Sequence, residues 1–64
     1  MYTYFKFDGT QTVNGALPEV IANAFAWTPG KPLWFIEQDG EVRMNLIGSE
    51  DEVKSLLRGM NPAK

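Results

Sequence analysis

The chain has 64 residues, 44% hydrophobic and 22% charged, with a formal net charge of −2. So short a chain is expected to build a single core burying roughly 60% of the surface its unfolded form exposes, and the composition is that of a globular rather than a disordered protein. Cys and His are both absent, which excludes disulfides, thiolate chemistry, iron–sulfur clusters, nearly all zinc sites and the usual serine or cysteine triads.

No apolar run approaches the roughly 20 residues of a membrane span, and "MYTYFKFDGT" lacks the cationic-then-apolar order of a signal peptide. The expectation is a soluble, cytoplasmic protein without membrane contact. The weak acidic balance is too small for a DNA mimic and has the wrong sign for a duplex binder.

Residues 1–7, "MYTYFKF", alternate in polarity and are rich in aromatic and β-branched types, which predicts a strand ending at Asp8-Gly9. Asp-Gly is a favoured two-residue hairpin turn, so a short return strand over Thr10 to Val13 is an option. Pro18 suits a first helical position, and Leu17, Val20, Ile21, Ala24 and Phe25 then recur at helical spacing. Thr28-Pro29-Gly30-Lys31-Pro32 cannot continue that helix and reverses the chain.

"LWFIEQDGEVRMNLI", residues 33–47, reads as a hairpin turning on Asp39-Gly40, with strands of about 32–38 and 41–47. Ser49 followed by Glu52 matches a capping box, with Glu50 and Asp51 adding negative charge at the helix start. Val53, Leu56, Leu57 and Met60 continue at helical spacing, and Arg58-Gly59 supplies a stop. The predicted fold is therefore α+β: one domain over 1–60, order β(β)αββα, with a three- or four-stranded mainly antiparallel sheet, two helices on one face and a flexible tail at 61–64.

A plain two-residue turn pairs 38 with 41, 36 with 43 and 34 with 45. In that register Leu33, Phe35, Val42, Met44 and Leu46 join Phe5 and Phe7 beneath the helices. The opposite face then carries Tyr2, Tyr4, Lys6, Trp34, Ile36, Arg43 and Asn45, far more apolar than a solvated face requires. Such residues can be ordinary half-exposed strand formers. Trp, Tyr and Arg are also the types in which binding energy concentrates, which points to a protein partner or a homodimer. Aromatics with Lys6 and Arg43 are equally the means of stacking single-stranded nucleic acid, although no RNP-like motif is present.

The first helix is bland, since Glu19 is the one charged residue between Ala16 and Trp27. Its outer side, expected to show Ala22, Asn23 and Ala26, would suit the second helix or a partner. Trp27 reads as a lid on the core.

Catalysis finds little support. Glu50, Asp51 and Glu52 diverge around a helix and are better read as capping than as metal ligands. Glu37, Asp39 and Glu41 solvate a turn, the glycines are dispersed, and no cofactor motif occurs. The expectation is a small non-enzymatic regulatory or inhibitory protein acting through its aromatic sheet face. A phage-type inhibitor of a host enzyme fits that description; single-stranded nucleic-acid binding and simple homodimerisation are the alternatives.

Overall fold

A computed structural model describes residues 1–61 and shows an α+β domain. In chain order its elements are β1 (Thr3–Lys6), α1 (Pro18–Ala24), β2 (Leu33–Gln38), β3 (Glu41–Ile47) and α2 (Glu50–Met60). The sheet is antiparallel with β2 at its centre, between β1 and β3. None of the described helices is long and apolar enough to cross a membrane.

The four apolar residues opening β2, Leu33 to Ile36, are all buried. Successive strand residues point to opposite faces, so a strand buried at every position must be covered on both. Two clusters form accordingly. Leu33 and Phe35 meet Phe7, Val13 and Ile21 of α1 on one side. Trp34 and Ile36 meet Val53 and Leu57 of α2 on the other. The helices thus lie on opposite faces of the sheet, not together on one face as the sequence reading expected.

The hairpin departs from simple pairing as well. Asp39 and Gly40 both have positive φ, 56° and 82°, the signature of a type I′ turn, and Gln38 faces Glu41. Beyond them Glu37 pairs with Val42 but Ile36 pairs with Met44, so Arg43 is the extra residue of a β-bulge. One inserted residue moves every later side chain of β3 to the other face. Leu46 therefore packs with Trp34 on the α2 side, whereas Asn45 and Ile47 oppose Phe35 and Leu33.

The segment from Phe7 to Leu17 makes no return strand over Thr10 to Val13. Asp8 instead accepts hydrogen bonds from the Thr10 N–H (2.9 Å) and hydroxyl (2.6 Å), which turns the chain away from β1. Val13 and Ala16 then form an isolated bridge around Asn14 and Gly15, again with positive φ at both.

The two helices differ in how they are held. Helix α2 has the expected capping box: Ser49 Oγ accepts from the Glu52 N–H, and the Glu52 carboxylate accepts from the Ser49 N–H. Gly59 does not stop it; the helix runs to Met60 and is followed by Asn61. Helix α1 has no side-chain cap at Leu17. It closes with the Trp27 N–H on Ala22 C=O (2.9 Å) and the Ala26 N–H on Asn23 C=O (3.4 Å), a Schellman arrangement with Ala26 at φ 49°. Trp27 lids the core as expected, edge-on to Phe7 with centroids 5.0 Å apart.

Candidate functional site

β1 and β3 are both edge strands, and their outer margins are treated differently. The Phe7 N–H donates to Leu33 C=O (2.8 Å), so by alternation Tyr2, Tyr4 and Lys6 turn their backbone groups outward from β1. Most of that margin is occupied by side-chain amides. Asn61 accepts from the Tyr2 N–H (2.7 Å) and donates to Tyr2 C=O (3.2 Å). Gln11 donates to Lys6 C=O (3.0 Å) and accepts from the Asp8 N–H (2.9 Å). Between these two clamps the Tyr4 N–H and C=O and the Lys6 N–H stay open, a gap of little more than one outward-facing residue. Asn61, expected in a flexible tail, is thus part of the fold; the rest of that expected tail, 62–64, lies outside the described residues.

On β3 the phase is set by the Gly48 N–H donating to Pro32 C=O (3.2 Å). Leu46 and Met44 then turn their backbone groups toward β2, and Asn45 and Ile47 turn theirs outward. One amide clamp is present here too: Asn14 accepts from the Val42 N–H (2.9 Å) and donates to Val42 C=O (3.0 Å). It occupies the margin just before the bulge. From Arg43 to Ile47 no strand or amide clamp of the described residues covers the edge.

That open margin is flanked by apolar surface. Ile47 is 45% exposed and Met44 41%. Val20 on α1 is 56% exposed and Leu17, the residue before the helix, 63%, although helical spacing predicts both in the core. Ile21 is the buried residue of that helix, and Ala24 is exposed. Val20 and Ala24 lie at i and i+4 on one side of α1, and Leu17 is the extended residue that precedes the helix. Val20 and Ala24 line a groove of about 280 Å³ whose other wall is Val42 to Asn45, with Phe25 and Phe35 also lining it. Arg43 is its one charged lining residue, paired loosely with Glu41 at 3.7 Å.

The residues expected to form a binding face are mostly elsewhere. Ile36 is 0% exposed and Trp34 9%, because α2 covers them, and the Trp34 indole N–H donates to Gly48 C=O (2.8 Å). Tyr2 and Tyr4 are half-buried against the same cluster. Tyr4 donates its hydroxyl to Glu50 (2.8 Å); that hydrogen bond, with some burial and the nearby negative charge, raises the Tyr4 pKa above its ordinary value. Lys6 lies over the Trp34 ring at 6.0 Å. Trp34 and Ile36 of the face read from the sequence are therefore core beneath α2, while Tyr2 and Tyr4 remain half-buried and Lys6 exposed beside them.

Arg43 and Asn45 are the expected site residues that stay exposed together, both at the open edge and both lining the groove. Asn14, Val20 and Leu17 were missed. The Asn14-Gly15 pair is itself a hairpin signal, but that its amide would clamp another strand is not visible in a dipeptide.

A second hollow of about 410 Å³ near the hairpin tip has Glu37 as its one charged lining residue. Neither hollow brings two titratable groups together. No group of His, Cys, Asp or Glu among the described residues is arranged to hold a metal ion. No protein-family model, curated protein or solved structure matches this chain.

Proposed function

We propose that the chain is a small non-enzymatic protein-binding domain whose contact surface is the Arg43–Ile47 edge of β3 with the adjoining groove against α1. The observation that carries this reading is the uneven treatment of the two edges. Natural sheets protect edges because an unpaired row of N–H and C=O groups recruits another strand. Here β1 is clamped at both ends, whereas among the described residues β3 has one clamp at Val42 and a bulge at Arg43 and then leaves the Asn45 and Ile47 backbone groups open beside apolar surface, a combination that suits addition of a short strand from another polypeptide. Backbone hydrogen bonds would supply affinity, while the groove would select the side chain that enters it.

A regulatory or inhibitory role follows if the added strand belongs to a larger protein whose surface is then occupied. The test is site-specific photo-cross-linking in a cell lysate, with the reactive group at Asn45 or, as control, at Ser55 on the exposed side of α2. A defined product from position 45 and none from position 55 supports the reading. Equal labelling at both positions, or none at 45, contradicts it.

A further inference from the structure

We infer that the occupant of the β3 edge is the free C-terminal end of another polypeptide, added antiparallel to residues 45–47 with its terminal carboxylate beside Arg43. The inference rests on the edge reading above and names its ligand: an extended C-terminal segment with an apolar residue just before its end.

The length of the open margin calls for a chain end. Among the described residues, Asn45 and Ile47 turn unpartnered backbone groups outward, and they lie roughly 7 Å apart along the strand. Toward the turn the margin closes. Arg43 is the extra residue of the bulge, and at Val42 the Asn14 side chain accepts from the N–H (2.9 Å) and donates to the C=O (3.0 Å). An added chain paired with Asn45 therefore has to end or leave the edge at Arg43. A chain that continues along the edge meets the Asn14 amide; a chain that ends does not.

Charge selects which end it is. Arg43 is the one charged residue lining the groove, and its ion pair with Glu41 is loose, 3.7 Å long with the two side chains 48% and 68% exposed. An antiparallel chain runs from Ile47 toward Arg43 and brings its carboxylate to the guanidinium, whose planar fork of donors matches that group. A parallel chain would bring its terminal ammonium to the same place, and like charges repel. One side chain thus fixes both the direction of the added strand and the terminus that is bound.

The groove sets the preference for an apolar residue. Residues directly opposite each other in an antiparallel pair share a face of the sheet, and Asn45 lies opposite Phe35, on the α1 side. The ligand residue opposite Asn45 therefore places its side chain on that side, toward the exposed Val20 and Ala24 across the groove. At about 280 Å³ the groove is smaller than the roughly 300–1,000 Å³ of small-molecule pockets and suits a single side chain. From that residue the chain ends one or two positions later, level with Met44 or Arg43.

The probe is an equimolar mixture of two pools of N-acetylated hexapeptides of random sequence, one ending in a free carboxylate and the other in a carboxamide. The mixture is passed over the immobilised full chain, and retained peptides are sequenced by mass spectrometry. Free acids should be retained at least about threefold over amides, the scale of a half-exposed ion pair, with Leu, Ile, Val, Met or Phe enriched one or two residues before the end. In Arg43→Gln, shown to be folded by circular dichroism, the acid preference should disappear while the apolar preference persists. The best retained peptide should shift the Asn45 and Ile47 amide resonances of the wild type.

Equal retention of acids and amides, or an acid preference that survives in Arg43→Gln, overturns the inference. If neither pool is retained while the photo-reactive group at 45 captures an internal segment of another protein, the edge reading stands and the chain end is wrong. If no peptide is retained and position 45 captures nothing, both fall.

Discussion

The two faces of this sheet are finished to different degrees. Helix α2 has 11 residues and a reciprocal capping box, and it lays Val53 and Leu57 onto Trp34 and Ile36. Helix α1 has 7 residues and no side-chain cap; it buries Ile21 and leaves Val20 and Ala24 in solvent, with Leu17 exposed just before it. The first face is built for stability, while the second stops short at the β3 edge, where the Asn45 and Ile47 backbone groups have no partner among the described residues. In a chain with so little area to bury, apolar side chains left on one margin mark the surface available for contact.

The contrast breaks most visibly at the α2 face. Ile36→Ala or Trp34→Ala should destabilise the protein by about 4 kcal/mol, as large-to-small core changes do. For a domain this size that approaches the whole stability, on the order of 5 kcal/mol. Chemical denaturation should show a strongly lowered midpoint or no folded baseline. A folded Trp34→Ala variant of unchanged stability would mean that α2 does not cover that face.

Removing the cap with Ser49→Ala should cost about 1 kcal/mol, a shift in the denaturation midpoint that α1 has no counterpart to lose. On α1, Ala26 adopts a left-handed conformation that glycine accepts without strain, so Ala26→Gly should stabilise by up to about 1 kcal/mol. Val20→Ser at the open stripe should change monomer stability by less than about 0.5 kcal/mol, while weakening association through the β3 edge.

The smallest effect concerns the turn after β1. The Thr10 hydroxyl and N–H hold the Asp8 carboxylate below its ordinary pKa. A depressed folded-state value contributes stability that is present above the unfolded pKa near 3.8 and is lost as pH falls through the folded value. Asp8→Asn should flatten that part of the acid-stability profile; an unchanged profile would show that these hydrogen bonds are not maintained in solution.

How much of this was legible in the sequence depended on the range of the physics involved. Local signals worked: Ser49 with Glu52 marked the start of α2, and Asp39-Gly40 the hairpin turn. The strand buried on both faces was also written there, because Leu33-Trp34-Phe35-Ile36 is a continuous apolar run and not an alternating one. Reading its two faces as core and binding surface missed the simpler solution of two cores.

The bulge at Arg43 was not legible, since a two-residue turn specifies register only at its own end of the hairpin. Nor was the exposure of Leu17 and Val20. Helical spacing shows that a stripe exists, but the placement of that stripe depends on how far α1 sits over the sheet. Of the expected site, Arg43 and Asn45 remain exposed and adjacent, on a strand edge where a face had been expected.

The most direct test of the account is amide hydrogen exchange, residue by residue, on a dilute sample of the protein. In the dilute sample the Val42 and Tyr2 amides should be protected by the Asn14 and Asn61 side chains, while Asn45 and Ile47 exchange freely. Protection of Asn45 in the dilute monomer, or rapid exchange at Val42 and Tyr2, would contradict the claim that side-chain amides cover both ends of the β1 edge and stop at Val42 on the β3 edge.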